Sequence, residues 1–173
     1  LTPLLKFYAS EMGNRVCYQA VQIHGGVGYM REFNVERHYR DVRVTNIYEG
    51  TSQLQVVAVT GKLLGHALDA LLEGWAAAAP APEAADLHAR LAQANALFLS
   101  ATDALKDQPR EQIDYYAVDL ANMAAILVSA WLLLQDAAHA AHKLEMARAY
   151  IAENLPTLKA SAEVILSAGA EKN

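Results

Sequence analysis

The sequence has a single cysteine, Cys17, so it can close no disulfide within itself, and that fits a reducing compartment such as the bacterial cytoplasm. Cys17 reads as core filler, since it lies in a helical pattern with no identifiable base beside it. Basic residues are also scarce. The 14 Lys and Arg are outnumbered by 19 Asp and Glu, giving a formal charge of −5 with no basic block, which excludes the electrostatic footprint of a nucleic-acid binder or a polybasic membrane binder. The chain opens on Leu1-Thr2-Pro3 with no methionine and no basic segment leading into an apolar stretch, so it shows no signal peptide and reads as a piece of something longer. No long apolar run is free of polar residues. The stretch from Tyr115 to Leu134 carries Asp119 and Asn122, and a charge within hydrocarbon costs roughly 2.5–3.5 kcal/mol, so a buried central helix is predicted there rather than membrane insertion.

What is abundant is apolar side chain, 54% of the residues, ample for a buried core. It is arranged with helical period. Leu5, Tyr8, Met12, Val16, Ala20 and Ile23 draw one stripe on a first helix entered through Pro3 and stopped at Gly25-Gly26. Leu54, Val57, Gly61, Leu64, Leu68 and Leu71 draw a second, after Thr51-Ser52, either of which can cap a helix. Residues 76–85, AAAAPAPEAA, contain two prolines that forbid a continuous helix and predict an extended spacer and a subdomain boundary. Beyond the spacer come three more stripes: Leu87, Leu91, Ala94, Phe98, Ala101 and Leu105; then Ile113 to Leu134; then Leu144 to Ile165, with a kink expected at Pro156. Val42 to Thr45 alternates too briefly for a strand and reads as a helix end or a loop. The predicted class is all-α: a helical bundle within residues 1–75, a linker at 76–85, and a second antiparallel helical bundle at 86–173.

Three segments carry candidate chemistry. Gln22-Ile23-His24-Gly25-Gly26-Val27-Gly28 packs glycines just past a helix end, but it fails as a dinucleotide fingerprint, because Arg31 stands where a third glycine is required and the preceding pattern is helical. Glu36 to Asp41 crowds charges of both signs, which by itself describes a wetted face. Glu49 lies between Tyr48 and Gly50 at the threshold of a helix, and read alone it is a surface carboxylate. His139 and His142 are three apart on a predicted helix, but no third metal ligand of suitable spacing accompanies them.

Taken together, the stretches LTPLLKFYASE, QIHGGVGY, ERHYRDVRVTNIYEGTSQLQ and TGKLLG, in this order and spacing, resemble the carboxy-terminal helical domain of the acyl-CoA dehydrogenases from Leu1 to about Leu72. From about Glu83 the chain is similar in length and helical character to the extra carboxy-terminal bundle of some larger bacterial members. The resemblance implies an FAD-dependent α,β-dehydrogenation of an acyl-CoA thioester to a trans-2-enoyl-CoA, as in fatty acid β-oxidation. Glu49 stands at the place of the base that removes the α-proton. A carboxylate withdrawn from water is a stronger base, as the weakly acidic α-proton requires, and Tyr48 would help to form the dry wall. The Glu49 amide would bond the thioester carbonyl, and Gly50 would leave room for the substrate.

By the same resemblance Thr51, Ser52 and Gln53 match flavin-contacting positions at a helix start. Gln22, Ile23, His24, Gly25 and Gly26 match the stretch that meets the ADP part of FAD held by a neighbouring subunit, which implies a homo-oligomer, dimer or tetramer. Arg40-Asp41 matches a pair expected to lock the loop presenting Glu49. The implied electron acceptor is an electron-transferring flavoprotein. The family's amino-terminal and middle domains do not appear in these residues, so the piece alone is expected not to bind FAD or turn over substrate. Two alternatives stay open: a helical interaction or oligomerisation module without catalysis, and a flavoprotein relative that runs a different reaction on the same scaffold.

Overall fold

The computed structural model describes residues 1–170, and no strand occurs among them. The helices are α1 (Thr2–His24), α2 (Asn34–Val42), α3 (Ser52–Leu64), α4 (Asp69–Ala77), α5 (Ala85–Lys106), α6 (Arg110–Asp136) and α7 (Ala141–Ala170), joined in places by short 3-10 turns. The last three residues of the expected extension, 171–173, lie outside the described residues. The chain divides into two compact units, Leu1–Val59 and Thr60–Asn173, and the division falls inside α3.

In the first unit Pro3 stands in the first turn of α1, where a missing N–H costs nothing. The face that α1 buries is Leu4, Phe7 and Ser10. The predicted stripe lies elsewhere: Leu5, Val16 and Ile23 are 67%, 57% and 83% exposed. Periodicity identifies an apolar face but not what covers it, and within this unit α1 instead turns a more polar side toward α2 and the segment that follows. Gly13 permits the close crossing, since a Cβ there would sit 3.2 Å from Val42 Cγ2. Tyr18 and Tyr39 meet edge to face at 6.2 Å. The Val42–Thr45 segment is the end of α2 followed by a 3-10 turn at Arg43–Asn46, as the short alternation suggested. Cys17 is half-buried rather than a core residue.

The second predicted helix is broken. A turn after Leu64, with His66 at φ 60°, separates α3 from α4, and the His66 ring meets Asp69 Oδ2 at 2.8 Å. The buried side of α3 is Val56, Val59, Thr60 and Leu63, one position off the predicted stripe, while Leu54 is 60% exposed.

The Ala/Pro segment is extended, with Ala78 and Ala81 at ψ 137° and 145°. It connects α4 to α5 within the second unit, so the expected boundary at 76–85 falls inside that unit. The reason is a packed contact across it: Asn95 of α5 donates to the Leu72 carbonyl of α4.

The second unit is the antiparallel bundle. Leu87, Leu91, Phe98 and Leu105 of α5, Leu120, Met123 and Leu127 of α6, and Ile151, Leu155, Leu158 and Ile165 of α7 are all buried. Here the predicted stripes and the buried faces coincide. The register of α6 against α7 is marked by Ser161 Oγ donating to Asp119 Oδ1 at 3.0 Å and Gln112 Nε2 donating to the Ala168 carbonyl at 3.5 Å. Both pairs fit an antiparallel alignment. Pro156 lies within α7, which continues past it. The helix through Arg110–His139 is long and apolar enough to cross a membrane, but 61% of its most apolar window is buried against the protein's own helices. It is the central helix expected.

His139 ends a 3-10 turn and His142 begins α7, with the extended residue Ala140 between them, so the two do not share one helix face. Among the described residues no cluster of three or more His, Cys, Asp or Glu is placed to hold a metal ion.

Candidate active site

The loop that carries Glu49 is built from the end of the 3-10 turn. The N–H groups of Ile47 and Tyr48 both donate to the Val44 carbonyl, at 2.9 and 3.0 Å, and these two hydrogen bonds to one acceptor reverse the chain. Glu49 then adopts φ 53° and Gly50 φ 88°, two consecutive residues in the left-handed region. For a residue with a Cβ that conformation costs on the order of 1–3 kcal/mol and persists only where surrounding contacts impose it. Those contacts are present. Gln55 Nε2 donates to the Glu49 carbonyl at 2.9 Å. The Lys6 ammonium donates to the carbonyls of Thr45 at 2.7 Å and Gly50 at 2.8 Å. Thr51 Oγ1 accepts from the Leu54 amide at 3.3 Å, the capping role the sequence allowed, and α3 starts there.

Among the described residues the Glu49 amide makes no backbone hydrogen bond, and the Glu49 side chain is exposed. Tyr48 is 50% exposed. The withdrawal from water expected of Glu49, and the dry wall expected of Tyr48, are therefore not supplied by residues 1–170; any desolvation of this carboxylate has to come from what lies against it.

A Cβ on Gly50 would come within 2.8 Å of Gln55 Nε2, the group that holds the Glu49 carbonyl. Gly50→Ala is expected to destabilise the loop by about 1–3 kcal/mol through its positive φ alone. It should also push Gln55 off Glu49. Amide exchange over residues 47–50 in the full-length protein, beside a denaturation curve, checks both.

Arg40 and Asp41 do not lock this loop. Arg40 pairs with Glu36 at 3.2 Å and Asp41 with Arg37 at 3.5 Å, both i,i+4 pairs along exposed α2. The work expected of them is done by α1. Asn14 Nδ2 donates to the Val42 carbonyl at 3.2 Å and to Asn46 Oδ1. Glu11 Oε1 accepts from Asn46 Nδ2 at 2.5 Å and from Ser52 Oγ at 2.6 Å. Sequence reasoning missed Lys6, Glu11, Asn14 and Gln55. The first three stand at spacings of five and three, one polar edge beside an apolar stripe, and that spacing was the available signal.

Thr51, Ser52 and Gln53 line an open cleft of ≈ 650 Å³ together with Arg43, Tyr18 and Tyr39, among others. Gln22 to Gly26 do not line it. They form the exposed end of α1 and the start of the 3-10 turn Gly25–Tyr29, where the Gly25 amide donates to the Gln22 carbonyl, and the His24 ring donates to the Ala20 carbonyl at 2.8 Å. A Cβ at Gly25 or Gly26 would meet nothing within 4 Å, whereas at Gly28 it would meet His24 Cβ at 2.7 Å and the Val21 carbonyl at 2.8 Å. Of these three glycines, Gly28 alone is demanded by contacts within the described residues. Gly25 is demanded by its φ of 65°, and Gly26 by neither.

Residues 1–64 match the family profile described as acyl-CoA dehydrogenase, C-terminal domain, and residues 65–170 match that described as acyl-CoA dehydrogenase C terminal. Over 61 residues, 35% of this chain, the sequence is 61% identical to the caffeyl-CoA reductase-Etf complex subunit CarC of Acetobacterium woodii, covering 16% of that protein. Over 61 residues, again 35% of the chain, it is 51% identical to the human mitochondrial short-chain specific acyl-CoA dehydrogenase, covering 15% of it. It is also 46% identical over 61 residues to a 3-(aryl)acrylate reductase of Clostridium sporogenes, with 35% of this chain and 16% of that one covered. Among solved structures, an acyl-CoA dehydrogenase complexed with FAD from Bacillus anthracis superposes with a TM-score of 0.77 at 24% identity, over 96% of this chain and 32% of that chain, which shows a shared fold. The chain thus spans only 15–16% of the length of these curated relatives.

Proposed function

Because the chain belongs to the acyl-CoA dehydrogenase family, we propose that it is the carboxy-terminal part of an FAD-dependent enzyme in which Glu49 takes the α-proton of an acyl-CoA thioester. The observation that carries this reading is the left-handed backbone of Glu49, held by Gln55 and Lys6 on a residue whose side chain has no hydrogen bond or ion pair among the described residues. A non-glycine residue kept in so unfavourable a conformation, at the one carboxylate of the loop, is how strain is stored at working sites.

In this reading the Glu49 carboxylate is the proton acceptor and its amide donates to the thioester carbonyl, stabilising the negative charge that develops as the α-proton leaves. Gly50, with no side chain, lets the thioester approach the loop. Bound FAD supplies the acceptor for the hydride that leaves the β-carbon. Thr51, Ser52 and Gln53, at the start of α3, would hold the flavin side, where free amides and the helix dipole suit a group rich in acceptors. Gln22 to Gly26 would meet the ADP part of FAD from another copy of the chain. The open space at Gly25 and Gly26 fits that role, because a rigid group can come against the backbone there with nothing of this chain in its way. Tyr48, the flavin and the substrate together would exclude water from Glu49, a burial that the chain by itself does not provide. The electron acceptor would be an electron-transferring flavoprotein, the assembly a dimer or tetramer, and the compartment the bacterial cytoplasm.

Two of the relatives are reductases by name, which favours a second reading: the same residue, run in reverse as an acid, delivers a proton to the α-carbon of an enoyl or aryl-acryloyl thioester, while reduced flavin, when bound, would supply the hydride to the β-carbon. Microscopic reversibility lets one geometry serve both directions. Anaerobic mixing of the full-length holoenzyme with a panel of saturated acyl-CoAs and aryl-propionyl-CoAs tests the proposal. Bleaching of the oxidised flavin by members of the panel is expected; a flavin that stays oxidised with every thioester would overturn it.

A further inference from the structure

Lys6 belongs to α1, forty-three residues before Glu49, and its ammonium touches main chain at two places. It donates to the Thr45 carbonyl at 2.7 Å and to the Gly50 carbonyl at 2.8 Å. These two carbonyls bracket the segment 46–49, so one side chain ties together both ends of the bend that carries the carboxylate. The ring of Tyr48 lies 5.8 Å from the same nitrogen, close enough to turn its face to the cation. The ammonium is thus directed at neutral acceptors. The Glu49 carboxylate, between the two clamped carbonyls, is not neutralised by it.

Two further residues of α1 hold the same segment. Glu11 accepts from Asn46 at 2.5 Å and from Ser52 at 2.6 Å, on either side of the bend, and Asn14 donates to the Val42 carbonyl at 3.2 Å before it. None of these residues reaches the Glu49 side chain. Two successive residues at φ 53° and 88° would relax if released, because only the second is glycine. We infer that Lys6 is a positioning residue for the base: through its bonds to Thr45 and Gly50 it holds the left-handed turn that aims the Glu49 carboxylate, and Glu11 and Asn14 brace the same turn from α1. This rests on the reading of Glu49 as the base.

A base displaced by about an ångström loses up to roughly 100-fold in rate while the substrate is still bound elsewhere. Lys6→Met in the full-length holoenzyme keeps the stem and removes all three donors. Its kcat for flavin reduction is expected to fall about 10- to 100-fold, in line with that figure, with KM for the acyl-CoA changed less than about threefold. FAD per subunit should be unchanged, and amide exchange at residues 47–50 should quicken. Lys6→Arg, which can reach the same carbonyls, should recover most of the loss. A Lys6→Met enzyme with wild-type kcat per bound flavin, or a loss that only tracks missing FAD, or an arginine variant as impaired as the methionine one, would overturn the inference. Should Lys6→Met not accumulate as folded holoenzyme, Lys6→Gln is read by the same criteria. Glu49→Gln run alongside separates the two claims: a fully active Glu49→Gln sinks the reading of the base itself, whereas an inactive Glu49→Gln beside an unimpaired Lys6→Met sinks only the positioning role.

Discussion

Glu49→Gln in the full-length enzyme is expected to slow flavin reduction by acyl-CoA roughly 10²- to 10⁴-fold, the range a positioned general base contributes, with FAD still bound. Gln has the same length and nearly the same shape, so the turn should survive: the bonds that hold it go to the carbonyls of Thr45, Glu49 and Gly50 and not to the Glu49 carboxylate. The amide at position 49 also remains, so the thioester carbonyl keeps its proposed donor. What is lost is the proton acceptor alone. Rapid mixing, with absorbance of the oxidised flavin as the signal, separates this outcome from simple loss of cofactor. Retention of near-normal rates would mean that the base stands elsewhere in the longer protein.

The second large effect lies far from that loop. Asn95, 5% exposed in α5, donates from Nδ2 to the Leu72 carbonyl of α4 at 3.0 Å and accepts from Trp131 Nε1 of α6 at 2.9 Å. One amide satisfies a donor and an acceptor from two other helices inside the bundle. Asn95→Leu keeps the branched shape of the side chain but orphans the Trp131 indole N–H, while the Leu72 carbonyl, inside α4, loses only its bond from Asn95, so a loss of about 1–3 kcal/mol is expected. At roughly 4 °C per kcal/mol for a unit of this size, the melting temperature of the second unit should fall by about 4 °C or more. A Trp131→Phe background removes the indole donor in advance, so the same Asn95→Leu change should cost less there. Equal costs in the two backgrounds would show that Asn95 acts through packing and not through its bond to Trp131.

The contrast between the two units explains how far periodicity can be read. In α5, α6 and α7 the stripes of the sequence are largely the buried faces, because each helix packs against the other two, although Tyr115, Leu132, Met146 and Val164 stay exposed outside the stripes. Ala147, Ile151, Leu158 and Ala162 are all 1% exposed or less. In α1 the same arithmetic picks out Leu5, Val16 and Ile23, which are exposed, while Leu4 and Phe7 are buried. A small unit has fewer apolar partners to offer, and here polar side chains that hold a loop fix which way the helix faces. The turn at His66 was invisible for a different reason: Gly65 marks a weak point in the apolar repeat but not the left-handed residue beside it.

At the site, the sequence by itself determined the carboxylate, its glycine, a cap at Thr51 or Ser52 and the helical ends on either side, because these depend on residue type over a few neighbouring positions. It could not determine what holds them. That Lys6, Glu11 and Asn14 reach across 28 to 44 residues to grip the loop, and that Arg40 and Asp41 spend their charges along α2 instead, are matters of which helix lies against which. Local backbone preferences are short-ranged and legible one segment at a time. Hydrogen bonds between segments depend on distances that only tertiary packing sets.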